Sequence, residues 1–507
     1  MSLAQMPTVT LAVNGVALPA AEVRGLRAVR VQQRLSLPTQ CLLTFALPPD
    51  SPDLTAWLRL GAALEVRVAQ QILPLFEGEV TALDYLYGPA GERTLHVRAY
   101  DLLQRLRKRQ PVRVHVDVTP ASLAQELAAD LGLTVTAASS GPRTPHLLQH
   151  DRNDLQLLAD LAADAGLYLT LRERVLHLLT LAGEGDELPL RLGGSLLEAR
   201  VEVNGAPALH SVQVVGWNPL EVEAHQAEAA DAQLGRNVAA AVPLDPSDGS
   251  GRRRQVGRTV RDNRHAERLA QAELDRHAAY GVTLWGVAEG DTRLRPGVAV
   301  AVSGLHPTVS GRYVLTSVTH TLDERQGFLS ELATQPPPPP APMPRGREIA
   351  TYGVVTEVDD PRRLGRVRVQ LPAYADLESD WLQILLLGAG PAKGLMIVPA
   401  VGDQVLVLLP RGDAGEGIVL GGLVGQQAAV DSGVEGNLVQ RFSLQTPGGQ
   451  RVQLDDAGNI LRLENGSGSY VELSPSHLWV HAAHDLTLEA PGRHIVIRGD
   501  AIDFERG

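Results

Sequence analysis

The feature that most constrains this chain is a short repeat filling residues 442–507. The stretch reads FSLQTPGGQ, RVQLDDAGN, ILRLENGSGS, YVELSPSH, LWVHAAHD, LTLEAPGRH, IVIRGDA, IDFERG. Most units carry two apolar residues separated by one position, followed by turn residues. The pairs are Val452 with Leu454, Leu461 with Leu463, Val471 with Leu473, Leu478 with Val480, Leu486 with Leu488, Ile495 with Ile497 and Ile502 with Phe504, spaced seven to ten residues apart. Alternation with a period of two sends one set of side chains inward and the charged set outward. A sustained period of this length predicts stacked strands rather than a compact domain, with the first six pairs as the core of a needle.

Such an array cannot build a core by itself. Two inward side chains per strand bury little apolar surface against the entropy of ordering the whole stretch. Both strand edges also stay open. Three copies wound about one axis would close a triangular prism, with the apolar pairs on the axis and Arg, Glu and Asp on the faces. The alternative is an ordinary β-meander packed on the preceding domain. Seven consecutive units without a long loop favour the prism.

At 507 residues there is room for three or four domains. A net charge of −12 argues against a general nucleic-acid or anionic-membrane binder. The run Arg252–Arg253–Arg254, flanked by Gly249, Gly251 and Gly257, is expected in a solvated loop. Cys41 is alone, which excludes a disulfide framework or a Cys-based metal site, and its neighbours CLLTFAL predict a buried, inert thiol. The opening MSLAQMPTVTLAVNG lacks the pattern of a signal peptide, and no window is apolar for long enough to span a bilayer.

Residues 1–118 read as short strands, with a hairpin at Asn14-Gly15, and predict a barrel or sandwich. Residues 119–195 read as an α/β insert. Thr119 caps and Pro120 opens a first helix that carries Leu123, Leu127 and Leu131 on one face and stops at Gly132. A second helix covers about 153–165, with Leu155, Leu158 and Ala162 inward. The β pattern returns over 196–334, with a polar loop from about 220 to 258 and a helix over roughly 261–279. Pro336–Pro340 then mark a stiff spacer within 335–349. Residues 350–425 hold six short strands, including WLQILLL and LMIVPA, which implies a small closed barrel of the OB type. The repeat region is bounded at 438–507.

Candidate chemistry is sparse. GAGPAKG (Gly388, Gly390, Gly394) resembles a phosphate loop, but a strand and turn follow it instead of a helix. His481 and His484 point to opposite faces of a strand, so one chain cannot close a metal site with them. His320 is expected as a satisfied surface or barrel-edge residue. Asp359-Asp360 precede Pro361 and Gly365 and read as turn chemistry. No catalytic pair, cofactor site or metal site is predicted.

The order of parts resembles the VgrG-like spike family of contractile injection systems, which includes the hub and needle proteins of contractile phage tails. The most specific stretches are GVVTEVDDPRRLGRVRVQLP, WLQILLLGAG, GLMIVPAVGDQVLVLLPRGD and GIVLGGL, similar to the phage baseplate V-type OB domain. FEGEVTALDY, QHDRNDLQLLADLAADAGLYL and LRPGVAVAVSGLHPTVSGRYVLTSVTH are similar to the hub segment. The resemblance implies a mainly β chain with a small α/β insert, two tube-like β-barrels, an OB-fold barrel and a C-terminal trimeric intertwined β-helix. It implies a homotrimer that caps a hexameric inner tube, contacts baseplate proteins and punctures the target membrane mechanically when the sheath contracts. A PAAR-type tip protein is expected on Ile502, Asp503, Phe504 and Glu505, with cargo as a further partner. Assembly is expected in the bacterial cytoplasm. No lysozyme or effector module is recognised, so enzyme activity is not carried over. A cell-wall hydrolase and a trimeric receptor-binding fibre are the competing classes.

Overall fold

The computed structural model describes residues 7–48, 54–89, 91–218, 223–240, 251–260, 262–338, 349–390, 393–410, 417–424 and 431–505. Most of the expected proline spacer, residues 339–348, lies outside the described residues. The chain divides into two compact units, Met1–Gly421 and Gly422–Gly507.

An eleven-stranded sheet runs through the first unit. It starts from the hairpin Val9–Val13 and Val16–Ala17, whose turn puts Asn14 and Gly15 at φ values of 50° and 80°. Such left-handed turn geometry is what Asn-Gly favours between twisted strands. Sequence reading treats the two β regions as separate barrels. In the structure one sheet crosses both, because Ser317–Asp323 pairs antiparallel with Leu26–Arg34, His320 opposite Val31. Two apolar clusters form against it. The first holds Leu11, Val31, Leu43, Phe45 and Val97, joined by Leu322 from the late strand. The second holds Leu190, Leu284, Val300, Tyr313, Val318 and Leu332. Cys41 alternates inward with Leu43 and Phe45, is fully buried, and burial pushes its thiol pKa up.

The insert packs two capped helices on a small sheet. Thr119 Oγ1 accepts from Ser122 N at 3.1 Å and Ser122 Oγ accepts from Thr119 N at 2.8 Å, closing a reciprocal cap on Pro120–Ala129. Asn153 caps Asp154–Asp164 in the same way through Gln156. Leu123, Leu127, Leu155, Leu158 and Ala162 meet in one core.

The predicted polar loop of 220–258 is corrected in part. Glu223–Ala229 is a strand, and the three arginines lie in the strand Arg252–Thr259, which pairs parallel with Ser211–Asn218. Arg253 is anchored to the helix Asn263–Gly281: it donates to His277 Nε2 at 2.8 Å and lies 3.4 Å from Glu273. Those contacts hold an Arg-rich segment against a helix face. Glycine flanks alone do not reveal them.

The OB region forms a six-stranded sheet around Val355, Val367, Val369, Leu371, Val405, Val407 and Val419. Leu148, from the insert strand Thr144–Gln149, belongs to the same core, and His146 Nδ1 lies 3.3 Å from Asp380. Of the two stretches read as full strands, WLQILLL contributes only Gln383–Ile384 to this sheet. Leu387–Gly390 and Lys393–Leu395 pair with each other alone, and residues 396–400 carry no strand. No helix follows GAGPAKG among the described residues, so the helix N-terminus that a phosphate loop needs is missing there.

In the second unit, Arg441–Gln445, Arg451–Asp455, Ile460–Glu464, Tyr470–Leu473 and Leu478–His481 form one antiparallel sheet in chain order. Residues 482–505 carry no strand. The repeat, read as one uniform array, therefore behaves as two segments within a single chain.

Within one chain the residues expected to line a needle core form no core of their own. Leu454, Leu463, Leu473, Leu478 and Val480 are exposed on the sheet, and Leu486, Leu488, Ile495 and Ile497 are exposed beyond it. Val452, Leu461 and Val471 are only half-buried. The physical reason differs between the two segments. The five strands have one layer and no second layer to pack on. Leu486, Leu488, Ile495 and Ile497 lack even a strand to alternate on, so their spacing of two sends no side chain inward within this chain.

Candidate functional site: an exposed apolar ladder

Register in this sheet lines up the apolar pairs into two columns. One column runs Leu444, Val452, Leu463, Val471, Val480; the other runs Phe442, Leu454, Leu461, Leu473, Leu478. A strand period of two puts all ten on one face. The pair of Phe442 and Leu444 extends the predicted series by one strand. Its signal, FSL, was present in the first repeat unit.

Within this unit, no described residue covers this face. Leu454 is 48 % exposed, Leu478 63 % and Val480 55 %. Packed sheets bury such a face against a second layer about 10 Å away. The opposite face is charged and internally paired. Arg462 donates to Glu464 at 3.2 Å and to Glu472 at 2.9 Å, and the Glu464 bond leads in raising its pKa. Its guanidinium sits 4.0 Å from the centre of the Tyr470 ring, and Tyr470 stacks on His481 at 5.0 Å.

Asp431 ties the start of the unit together. It lies 3.1 Å from Arg441 and 3.0 Å from Arg451, and accepts from Gly433 N at 2.9 Å. Arg441 leads these contacts in holding the carboxyl below its usual range. Gly433 has φ 69°, and a Cβ there would sit 2.0 Å from Arg441 O, so the turn needs glycine.

Beyond His481 the pairs Leu486 with Leu488, Ile495 with Ile497 and Ile502 with Phe504 are all exposed, Phe504 at 91 %. Asp503 and Glu505 beside them are exposed as well. His481 ends the last strand, whereas His484 lies outside the sheet.

Several titratable groups elsewhere are held in structural pairings. One cavity of the first unit, of about 470 Å³, is lined by Asp101, Glu173, Arg172 and Arg295 among others. Arg295 is committed there to Pro74 O at 2.8 Å and Glu173 at 3.4 Å. Asp101 accepts from Thr39 N at 2.7 Å and Leu103 N at 3.0 Å, and burial pushes its pKa up to about 7. His320 is a core residue rather than a surface or edge one. It is fully buried between Ser330 Oγ at 2.9 Å and Leu294 O at 3.1 Å. Among the described residues no group of three or more His, Cys, Asp or Glu is placed to hold a metal ion.

A long β sheet with an α/β insert, followed by an OB barrel and an amphipathic strand repeat, defines a hub-type protein of a tail or injection machine. Residues 32–326 match the phage tail baseplate hub (GPD) family, and residues 351–423 match the type VI secretion system/phage-baseplate injector OB domain. The chain belongs to the phage tail baseplate hub family. It is 24 % identical over 467 residues to the type VI secretion system spike protein VgrG4b of Pseudomonas aeruginosa, covering 78 % of this chain and 54 % of that protein. The chain thus spans about half the length of that curated relative.

Solved structures share the fold, two of them as follows. The E. coli c3393 protein is described as a component of the type VI secretion system with structural similarity to T4 bacteriophage tail proteins gp27 and gp5. It aligns with TM-score 0.53 at 14 % identity, over 82 % of this chain and 99 % of that one. The lidded Francisella PdpA-VgrG complex aligns with TM-score 0.56 at 9 % identity, over 95 % of this chain and 81 % of the other.

Proposed function

We propose that three copies of this chain form the hub and spike of a contractile injection system. The observation that carries this reading is the two-column apolar ladder, uncovered within one chain and followed by apolar pairs with no strand partner of their own. Three such sheets facing one axis would bury the ladders, each chain supplying one wall of a prism. In 482–505 the missing strand partners would come from the other two copies, as an intertwined β-helix requires. Leu486, Leu488, Ile495 and Ile497 would then become core residues of the trimer. A prism closed in this way has no free strand edge, which gives it lateral stiffness.

The role is mechanical. The hub caps the inner tube and meets baseplate proteins; the needle concentrates the thrust of sheath contraction on a small area of target membrane. Ile502, Asp503, Phe504 and Glu505 form the blunt end, where exposed apolar side chains beside carboxylates suit a PAAR-type tip protein. Cargo rides on the same assembly, which is built in the bacterial cytoplasm before release. Membership of a structural hub family and the committed pairings of the buried charges support a non-enzymatic role. Immunogold electron microscopy of particles from the producing cell tests the assignment. Label at one end of the tube is expected, whereas label along the sheath or absent from particles contradicts it.

A further inference from the structure

Four neighbouring strands of the eleven-stranded sheet, Ser317–Asp323, Leu26–Arg34, Gln40–Ala46 and Arg93–Tyr100, have one packed face and one open face. Val29, Val31, Leu43, Val97, Val318 and Leu322 point inward and are fully buried. The residues that alternate with them are half-buried or exposed, and none is buried. Three arginines stand on this open face. Arg30 lies opposite Leu42, and Leu42 lies opposite Arg98. Arg30 and Arg98 therefore flank one leucine, two strand spacings or about 10 Å apart. Arg34 lies four residues beyond Arg30 on the same face, about 13 Å along the strand. Among the described residues, none of the three has an ion pair or a side-chain hydrogen bond. Arg27 on the same strand, by contrast, is paired with Glu324 at 2.6 Å. Gln32, Gln40, Thr319 and Thr321 fill the ground between and beside the arginines.

We infer that this face is a docking surface for an acidic segment of a partner polypeptide, with two of its carboxylates seated on Arg30 and Arg98. The argument is charge complementarity. The chain carries 58 acidic residues against 46 basic ones, yet sets none of the described acids against these three guanidiniums. A guanidinium is weakly hydrated and presents a planar fork that matches a carboxylate with two parallel hydrogen bonds. The amides and hydroxyls of Gln32, Gln40, Thr319 and Thr321 can both donate and accept, which suits the backbone of an incoming chain. A nucleic acid fits this face less well. The next row across the same strands runs Asp323, Ala28, Thr44, His96, Asp84, with an acid at either end. A continuous phosphate backbone carries like charge past those carboxylates. A polypeptide can set neutral or basic residues over that row and acids over the arginines. The surface lies wholly in the first unit and uses no residue of the C-terminal ladder.

The test uses the full chain and fluorescein-labelled peptides that repeat Glu-Pro-Pro or Gln-Pro-Pro. Such repeats adopt polyproline II geometry, so the Glu side chains recur on one side about every 9 Å. Fluorescence anisotropy is expected to show binding of the Glu-Pro-Pro peptide that the Gln-Pro-Pro peptide lacks. Arg30→Gln with Arg98→Gln is expected to weaken that binding at least about tenfold, and Arg27→Gln to leave it unchanged. Equal binding of both peptides, binding of neither, or an equal loss in Arg27→Gln overturns the inference. A single-stranded DNA oligonucleotide that binds and is lost in the double variant, while the Glu-Pro-Pro peptide fails to bind, overturns it in favour of nucleic acid. If the double variant fails to fold, Arg30→Gln and Arg98→Gln alone decide, and unchanged affinity in both counts against the surface.

Discussion

Arg366 holds Asp360 through two parallel hydrogen bonds, Nε to Oδ2 at 3.0 Å and Nη2 to Oδ1 at 2.7 Å, with both side chains buried. The same carboxylate accepts from Arg362 N at 3.0 Å and Leu364 N at 2.8 Å, so one side chain sets the whole turn before the strand Arg368–Leu371. Asp359-Asp360 was legible as turn chemistry; the buried partner six residues on was not. Removing one partner of a buried pair strands the other charge. Arg366→Met should cost about 3 kcal/mol of OB stability, and Arg366→Lys should recover only part because it cannot form the fork. Denaturant melts read by fluorescence check both values. Arg366 leads in lowering the Asp360 pKa, so the pair's stabilisation holds above the usual carboxylate range and fades only as pH falls below it.

His320 predicts a second pH effect, of the opposite charge type. Leu294 O can only accept, so Nε2 carries the hydrogen and Nδ1 accepts from Ser330. Burial, helped by Arg295, pushes the His320 pKa down to about 4. The unfolded chain therefore binds more protons than the folded one between roughly pH 6.5 and 4. Stability should fall over that window as pH falls, by about 3 kcal/mol from this residue. His320→Gln should flatten that part of the profile in thermal melts.

Leu463 and Val471 face each other in the ladder. Leu463→Asp with Val471→Asp would place charges inside the proposed prism, where they find no partner. High-mass species should disappear on size-exclusion chromatography while the melt of the hub and OB cores stays in place. Persistence of a trimer in that variant would remove the ladder as the assembly surface.

The blunt end yields a simpler outcome. Deleting residues 500–507 should abolish co-purification of a tip protein, measured by mass spectrometry of tagged particles. Unchanged retention contradicts the role given to Ile502, Asp503, Phe504 and Glu505.

Much of this was legible because it is local. Thr119 and Asn153 announce their helices through side-chain caps a few residues long, and the octad-like spacing of Val452 to Val480 announces stacked strands. Pairing across long separations was not. Nothing near His320 reveals that its strand lies against Leu26–Arg34, and without that pairing its burial is invisible. The strand Arg252–Thr259 was missed because its anchor, Glu273, sits on a later helix. The change at His481 was missed for a related reason. The apolar pairs continue in sequence through Leu488 and Ile497, while pairing within the chain stops and leaves both side chains exposed. A repeat fixes which residues are alike, but burial needs a second surface, and the described residues of this unit do not supply it.

Sedimentation equilibrium of the purified full chain, combined with hydrogen exchange over 442–505, tests the central claim most directly. A particle of three times 54.2 kDa with slow exchange through Leu486, Leu488, Ile495, Ile497 and Ile502 is the predicted result. A 54.2 kDa species in which those same amides are already protected would contradict it.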